Sequence, residues 1–176
     1  MTAFPVRVST GSGGRSRFNS VLTLDSLITL VQGVARQSDI WRPAARVGTR
    51  GRHSTWLHRD EQVEVWLTTW LPSSETGRPA SAPHTHGDSI EVFTVVEGAL
   101  LEERIDRDGQ LLVSRLTPSV IRPVAPHLTH DLRNASDVPT ISIHAATTPV
   151  RSAARVVPAL NWPRQAAVPR PHARTA

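Results

Sequence analysis

Cysteine is absent from the chain, which excludes a disulfide framework, a thiolate metal site and a cysteine nucleophile. Tyrosine is absent as well, leaving five Trp and three Phe as the aromatic complement. No apolar run reaches membrane-spanning length, so no membrane partner is expected. The first twenty residues place Arg7, Arg15 and Arg17 among Ser and Gly without an apolar stretch, and no signal peptide is read there. A soluble, cytoplasmic protein is the expectation that follows. Lysine is missing too: all twenty basic residues are Arg, which lifts the isoelectric point to 11.4.

What is present is unevenly placed. Residues 1–20 carry three Arg and no acid, and residues 151–176 carry five Arg and no acid. The middle holds the other twelve Arg against all fifteen acids, a net charge of −3. Nucleic-acid-binding proteins usually gather their basic residues on a folded face. Here the excess sits in the two ends, so solvated tails and no specific nucleic-acid partner are expected. A chain of 176 residues, 39 % of them hydrophobic, has room for one domain with a core and not comfortably for two. The expected division is a disordered basic segment at 1–20, one folded domain at 21–150 and a Pro/Ala/Arg-rich tail at 151–176.

Leu24, Leu27, Ile28, Val31, Val34 and Ala35 recur at helical spacing, with Thr23 placed as N-cap and Asp25 in the first turn. This predicts an amphipathic helix over 24–36, packed outside the domain that follows. After Trp41-Arg42-Pro43 the texture changes to short strands, expected at 53–57, 63–71, 90–96, 99–106, 111–116, 120–124, 127–132 and 140–146. A loop fills 72–83, and Asp108-Gly109 marks a hairpin turn. Such a series predicts an all-β antiparallel sandwich or barrel. Glu102, Glu103, Asp106 and Asp108 read as a solvated acidic hairpin, and the Trp residues as core.

The chemistry gathers at residues 83–98. His84 and His86 stand two apart, so on a strand their side chains leave one face roughly 6.6 Å apart along the backbone. Two imidazoles so placed can lean onto one first-row metal ion. Glu91 follows, then an apolar run, then Gly98 where the chain must turn sharply. Farther on come His130 and Asn134, and the scaffold between is expected to set His130 opposite the pair. His127, three residues earlier, would face the other way on a regular strand. His53 and His58 fall outside the pattern.

His84-x-His86, Glu91, Gly98 and His130-x-x-x-Asn134, with Gly77 upstream, resemble the two motifs of the cupin superfamily. That resemblance implies a small double-sheet jelly-roll barrel with a metal held inside and the short N-terminal helix packed outside. Val63-Glu64-Val65-Trp66-Leu67 through Trp70, His130-Asp131-Leu132-Arg133-Asn134 and Thr140-Ile141-Ser142-Ile143-His144 narrow it further. Over about residues 24–150 the chain looks like a bacterial member of the cysteine dioxygenase family. The family implies a mononuclear non-haem Fe(II) site on His84, His86 and His130. It implies addition of O₂ to a small thiol, L-cysteine or a close relative, to give a sulfinate. Ser142 and His144 match the family's Ser-x-His pair lining the site, where His144 orients substrate or oxygen by hydrogen bonding; the competing reading is a satisfied core histidine.

Three departures leave the chemistry open. Ala146 stands where the family has a tyrosine, and no Tyr elsewhere can replace it. The arginine that would grip a substrate carboxylate falls near Thr55, with Arg50, Arg52 and Arg59 as neighbours that parity does not separate. Glu91 occupies a position held by Cys or Gly in the family, and in other cupins a carboxylate there is a fourth metal ligand. Strand parity with Phe93 and Val95 turns Glu91 inward, and an ionised carboxylate inside a barrel needs a metal or a charge partner. The alternatives are therefore a repurposed thiol dioxygenase, for which a specialised-metabolism role would suit the drift, or a three-His, one-Glu cupin using Fe, Ni or Mn on an oxygen-donor substrate. A non-catalytic cupin that binds a small molecule is the third.

Overall fold

The computed structural model describes residues 22–48, 51–72 and 82–147, and the backbone of 155–156. The segment 1–20, Arg50, Gly77 with most of the 72–83 loop, Trp162 and the remainder of the 151–176 tail lie outside the described residues.

Helix α1 spans Leu24–Ala35, and Thr23 caps it, its Oγ1 accepting from the Ser26 N–H at 3.2 Å. A single turn α2 (Ser38–Trp41) and a 3₁₀ turn at Arg42–Ala44 follow. Among the described residues ten strands come next. The first five are β1 (Arg52–Arg59), β2 (Val63–Trp70), β3 (His84–Thr85), β4 (Glu91–Glu97) and β5 (Leu100–Ile105). The rest are β6 (Leu111–Leu116), β7 (Ile121–Val124), β8 (His130–Asn134), β9 (Thr140–Thr147) and β10 (Arg155–Val156). They form two five-stranded sheets, in the orders β1-β2-β9-β4-β7 and β10-β3-β8-β5-β6. Every ladder between these strands is antiparallel.

The first sheet buries both faces, and period-two alternation sorts its side chains between them. Val63, Val65, Leu67, Val92, Ile141, Ile143 and Ala145 pack outward against Leu27, Val31 and Val34 of α1, together with Trp41. The indole of Trp41 fastens this layer by donating to the Ala35 carbonyl at 3.1 Å. A separate cluster of Trp70, Phe93, Val95, Leu100, Leu116, Val124 and Leu132 fills the inside of the barrel. The helix thus lies outside, as its spacing predicts.

Gly98 turns β4 into β5 at φ +78°, and a Cβ there would fall 2.2 Å from Thr140 Oγ1. Only glycine satisfies both demands. At the Asp106–Gln110 turn, Gly109 sits at φ +77° and Asp106 Oδ1 accepts from the N–H groups of Asp108 and Gln110.

Strand β8 begins at His130, three residues later than expected. His127 lies at φ +59° in the preceding turn, and its N–H donates to the Gly87 carbonyl at 2.8 Å. The acidic hairpin is also corrected. Glu102 and Glu103 are buried rather than solvated, Glu102 at 0 % exposure. Glu102 is in step with Leu100 on the inner face of β5, and Glu103 pairs with Arg133 on the other.

Candidate metal centre

The two sheets contribute different parts of one pocket. From the second sheet, β3 and β8 set His84 directly across from His130, and His86 follows just past the end of β3. One ring nitrogen from each of the three lies within 4.8 Å of the others. From the first sheet, Glu91, His144, Trp66 and Trp70 border, with the three histidines, a cavity of about 280 Å³, and Ser142 lies buried behind His144.

Hydrogen bonds fix where the protons sit. His84 Nδ1 meets the Ala82 carbonyl at 2.8 Å, so this nitrogen donates and Nε2 keeps its lone pair. His130 Nδ1 meets Glu102 Oε1 at 3.2 Å and donates to it, leaving Nε2 bare. His86 Nε2 lies 3.2 Å from His130 Nε2 and donates across the gap. Glu91 Oε2 stands 2.8 Å from the same His86 nitrogen, yet is buried without an aligned hydrogen-bond donor.

A second chain of bonds runs behind Glu91. The Trp70 indole N–H donates to Ser142 Oγ at 2.7 Å, which frees the Ser142 hydroxyl to donate to His144 Nε2, also at 2.7 Å. His144 must then carry its proton on Nδ1, which donates to Glu91 Oε1 at 2.7 Å. His144 is therefore a fully bonded histidine that also touches the pocket. Its ring is stacked between Trp66, at 5.1 Å and 10°, and Phe93, at 5.0 Å and 18°. The three residues are cross-strand partners. Their spacing is close to the separation of neighbouring strands, so the register itself builds the stack.

Charge follows from these contacts. Burial, then the neighbouring His130, press the His84 pKa down to about 4, and the ring is neutral at pH 7. Burial likewise lowers the pKa of His144 despite the pull of Glu91. Burial also opposes a charge on His86, but the Glu91 carboxylate outweighs it and raises that pKa. Glu91 itself, although desolvated, is held well below the usual carboxylate range by His86 and His144.

The donor set fits a divalent first-row metal ion. His84 and His130 turn bare nitrogens into the pocket, and only a proton on His86 occupies the space where they converge. Glu91 Oε2 adds a buried anionic oxygen beside it. Three imidazoles leave a bound ion its full charge and open positions, whereas Glu91 as a fourth ligand would lower both.

The remaining candidates divide. Arg52 borders the cavity, its guanidinium 5.7 Å from the Trp70 ring centroid. Arg59 is turned to Glu64 at 2.7 Å and lies over Trp56. Arg50 is outside the described residues. His58 pairs with Asp60 and His127 with Asp88, both away from the pocket. Two Trp residues depart from the core reading: Trp56 is 54 % exposed, and Trp66 faces the cavity. Glu102 and its ion-pair partner Arg122 also belong to the site region. Neither was legible, because the Glu102-Glu103 doublet hides which acid faces inward, and Arg122 sits beside Pro123 in a short strand.

No protein-family model and no curated protein matches the chain. Solved structures do. One is a conserved protein with a double-stranded β-helix domain from Klebsiella pneumoniae, at 16 % identity and TM-score 0.50, covering 60 % of this chain and 84 % of that one. Another is the cupin domain of Cnp3 from Schizosaccharomyces pombe, at 10 % identity and TM-score 0.50, covering 61 % and 71 %. Oxalate oxidase in complex with the substrate analogue glycolate matches at 15 % identity and TM-score 0.51, covering 64 % and 58 %. At these identities the likeness establishes the fold alone: the chain has the cupin fold. Its three-histidine group fits a metal-binding cupin. Nothing in these matches singles out cysteine dioxygenase. No helix among the described residues is long and apolar enough to cross a membrane.

Proposed function

We propose that the protein is a metal-dependent cupin enzyme that oxidises a small thiol, L-cysteine or a close relative, with O₂, using Fe(II) held by His84, His86 and His130. The observation that carries this reading is the convergence of three imidazole nitrogens within 4.8 Å beside a cavity of about 280 Å³. The thiol assignment rests on the sequence resemblance, in particular on Ser142-x-His144. When bound, the iron supplies a site that binds thiolate and activates O₂. The residues of the chain supply the surroundings. Arg52 offers a guanidinium at the cavity border to the substrate's anionic end. The Trp70–Ser142–His144–Glu91 chain holds the His144 proton on Nδ1 and keeps that ring fixed. Trp66, Phe93 and Trp70 exclude water from one wall. Ala146, in place of a phenol, leaves that wall without a further proton donor, which fits a substrate or product altered from the family norm.

A second reading draws on one observation, the buried Oε2 of Glu91, which faces His86 Nε2 at 2.8 Å without an aligned hydrogen bond. As a fourth ligand Glu91 would leave fewer open positions and favour a substrate that binds through oxygen, with Fe, Mn or Ni. The test is O₂ consumption by iron-loaded protein with cysteine, cysteamine and 3-mercaptopropionate, in the parent and in Glu91→Gly. Thiol oxidation that survives or rises in Glu91→Gly supports the first reading. Inert thiols together with collapsed metal affinity in Glu91→Gly support the second.

A further inference from the structure

We infer that Glu102 is a positioning residue for the metal centre, acting through His130; the inference rests on the reading of His84, His86 and His130 as metal ligands. His130 and Glu102 are each 0 % exposed, so neither can exchange its partner for water. His130 Nδ1 has one polar neighbour on this side, Glu102 Oε1 at 3.2 Å. That bond keeps the proton on Nδ1 and the lone pair on Nε2, the nitrogen turned toward His84 and His86. It also sets the plane of the ring, which the opposed contact with His86 Nε2 leaves free to tilt.

Glu102 is itself held from behind. Arg122 on β7, in the other sheet, forms an ion pair with Oε2, while Oε1 faces His130. The chain Arg122–Glu102–His130 therefore spans the interior from one sheet to the other and ends on a candidate ligand. A buried carboxylate with no such task would be expensive and replaceable by an apolar residue. Its two oxygens are instead divided between a cation and a ligand imidazole. This matches the general arrangement in which a carboxylate orients a metal-bound histidine and raises its donor strength. Glu91, by contrast, approaches the pocket from the side of His86 and His144 and has no contact with this chain.

The experiment uses the full-length protein, Co(II) as probe, and two readouts. Co(II) affinity is measured by chelator competition with the visible ligand-field spectrum recorded. The His130 tautomer is read in the metal-free protein by long-range ¹H–¹⁵N NMR. Glu102→Leu combined with Arg122→Leu removes acceptor and counter-charge together. Glu102→Asp withdraws the carboxylate by one methylene while keeping a partner for Arg122, and serves if the double variant does not fold. Glu102→Gln combined with Arg122→Leu keeps an oxygen that can accept from Nδ1 and removes the cation that would compete for it.

The expected result is an affinity loss of about 10- to 100-fold in the double variant, with an altered Co(II) spectrum and mixed His130 tautomers. Glu102→Asp should lose less, and Glu102→Gln with Arg122→Leu should largely restore both readouts. Parent-level affinity together with an Nδ1–H tautomer in the double variant, or in Glu102→Asp if only that variant folds, overturns the inference and leaves the metal reading intact. Failure of the parent itself to bind Co(II) removes both.

Discussion

The two faces of the β1-β2-β9-β4-β7 sheet use the same strands for opposite ends. On β9, Ile141, Ile143 and Ala145 turn outward into an apolar layer under α1, while Ser142 and His144 turn inward to a polar chain ending at Glu91. One residue of register separates a packing position from a chemical one. The outer face gains from burial alone, with each fully buried aliphatic side chain contributing roughly 1.5–3 kcal/mol. The inner face accepts the penalty of a buried carboxylate, offset by His86 and His144. The outer face thus serves packing alone, while the inner face shares its apolar cluster with the chemistry.

Ile143→Ala tests that division most strongly. It should destabilise the fold by about 2–5 kcal/mol, the range for deleting a buried aliphatic side chain. Metal affinity of the folded fraction should stay at the parent level. Urea unfolding and chelator competition on the same sample measure both, and coupled losses would blur the contrast between the faces.

Acid should act from the inside. His84 has a pKa of about 4 when folded, against an ordinary value of 6.5. Between those values the unfolded chain takes up a proton that the folded one refuses. The contribution is therefore complete above pH 6.5 and lost as pH falls toward 4, by about 3 kcal/mol. His86 runs the other way: its raised pKa stabilises the metal-free fold below about pH 6.5, and that contribution is lost as pH rises through the folded value. Comparing metal-free parent with His84→Asn between pH 7 and pH 4 isolates the first effect. Equal pH slopes in the two proteins would show that His84 is not buried neutral.

Much of this was legible in the sequence because the residues that mattered alternate cleanly. Ile141 to Ala146 gave both faces of β9, and the helical spacing of Leu27, Val31 and Val34 gave the covering helix. His84 and His130 were legible because β3 pairs directly with β8, and His86 joins them although β3 ends at Thr85, one residue short of the strand its spacing implied. The choice among the arginines was not. Between Trp56 and His58 the β1–β2 register shifts, so Arg52 and Arg59 fall opposite Trp70 and Glu64 on the same face despite their odd separation. Parity counting fails across such a bulge. Glu102 failed for another reason: its burial depends on Arg122 and His130, which are remote in sequence and supply no local pattern. β10 also gave no signal, since two residues that pair with β3 carry no periodicity.

The most direct test of the metal centre is elemental analysis of protein purified without chelators, in the parent and in His86→Gln. The account predicts close to one first-row metal ion per chain in the parent and a large loss in the variant. A parent that carries no metal and takes none up on reconstitution, or a variant that holds it as well as the parent, would contradict the account.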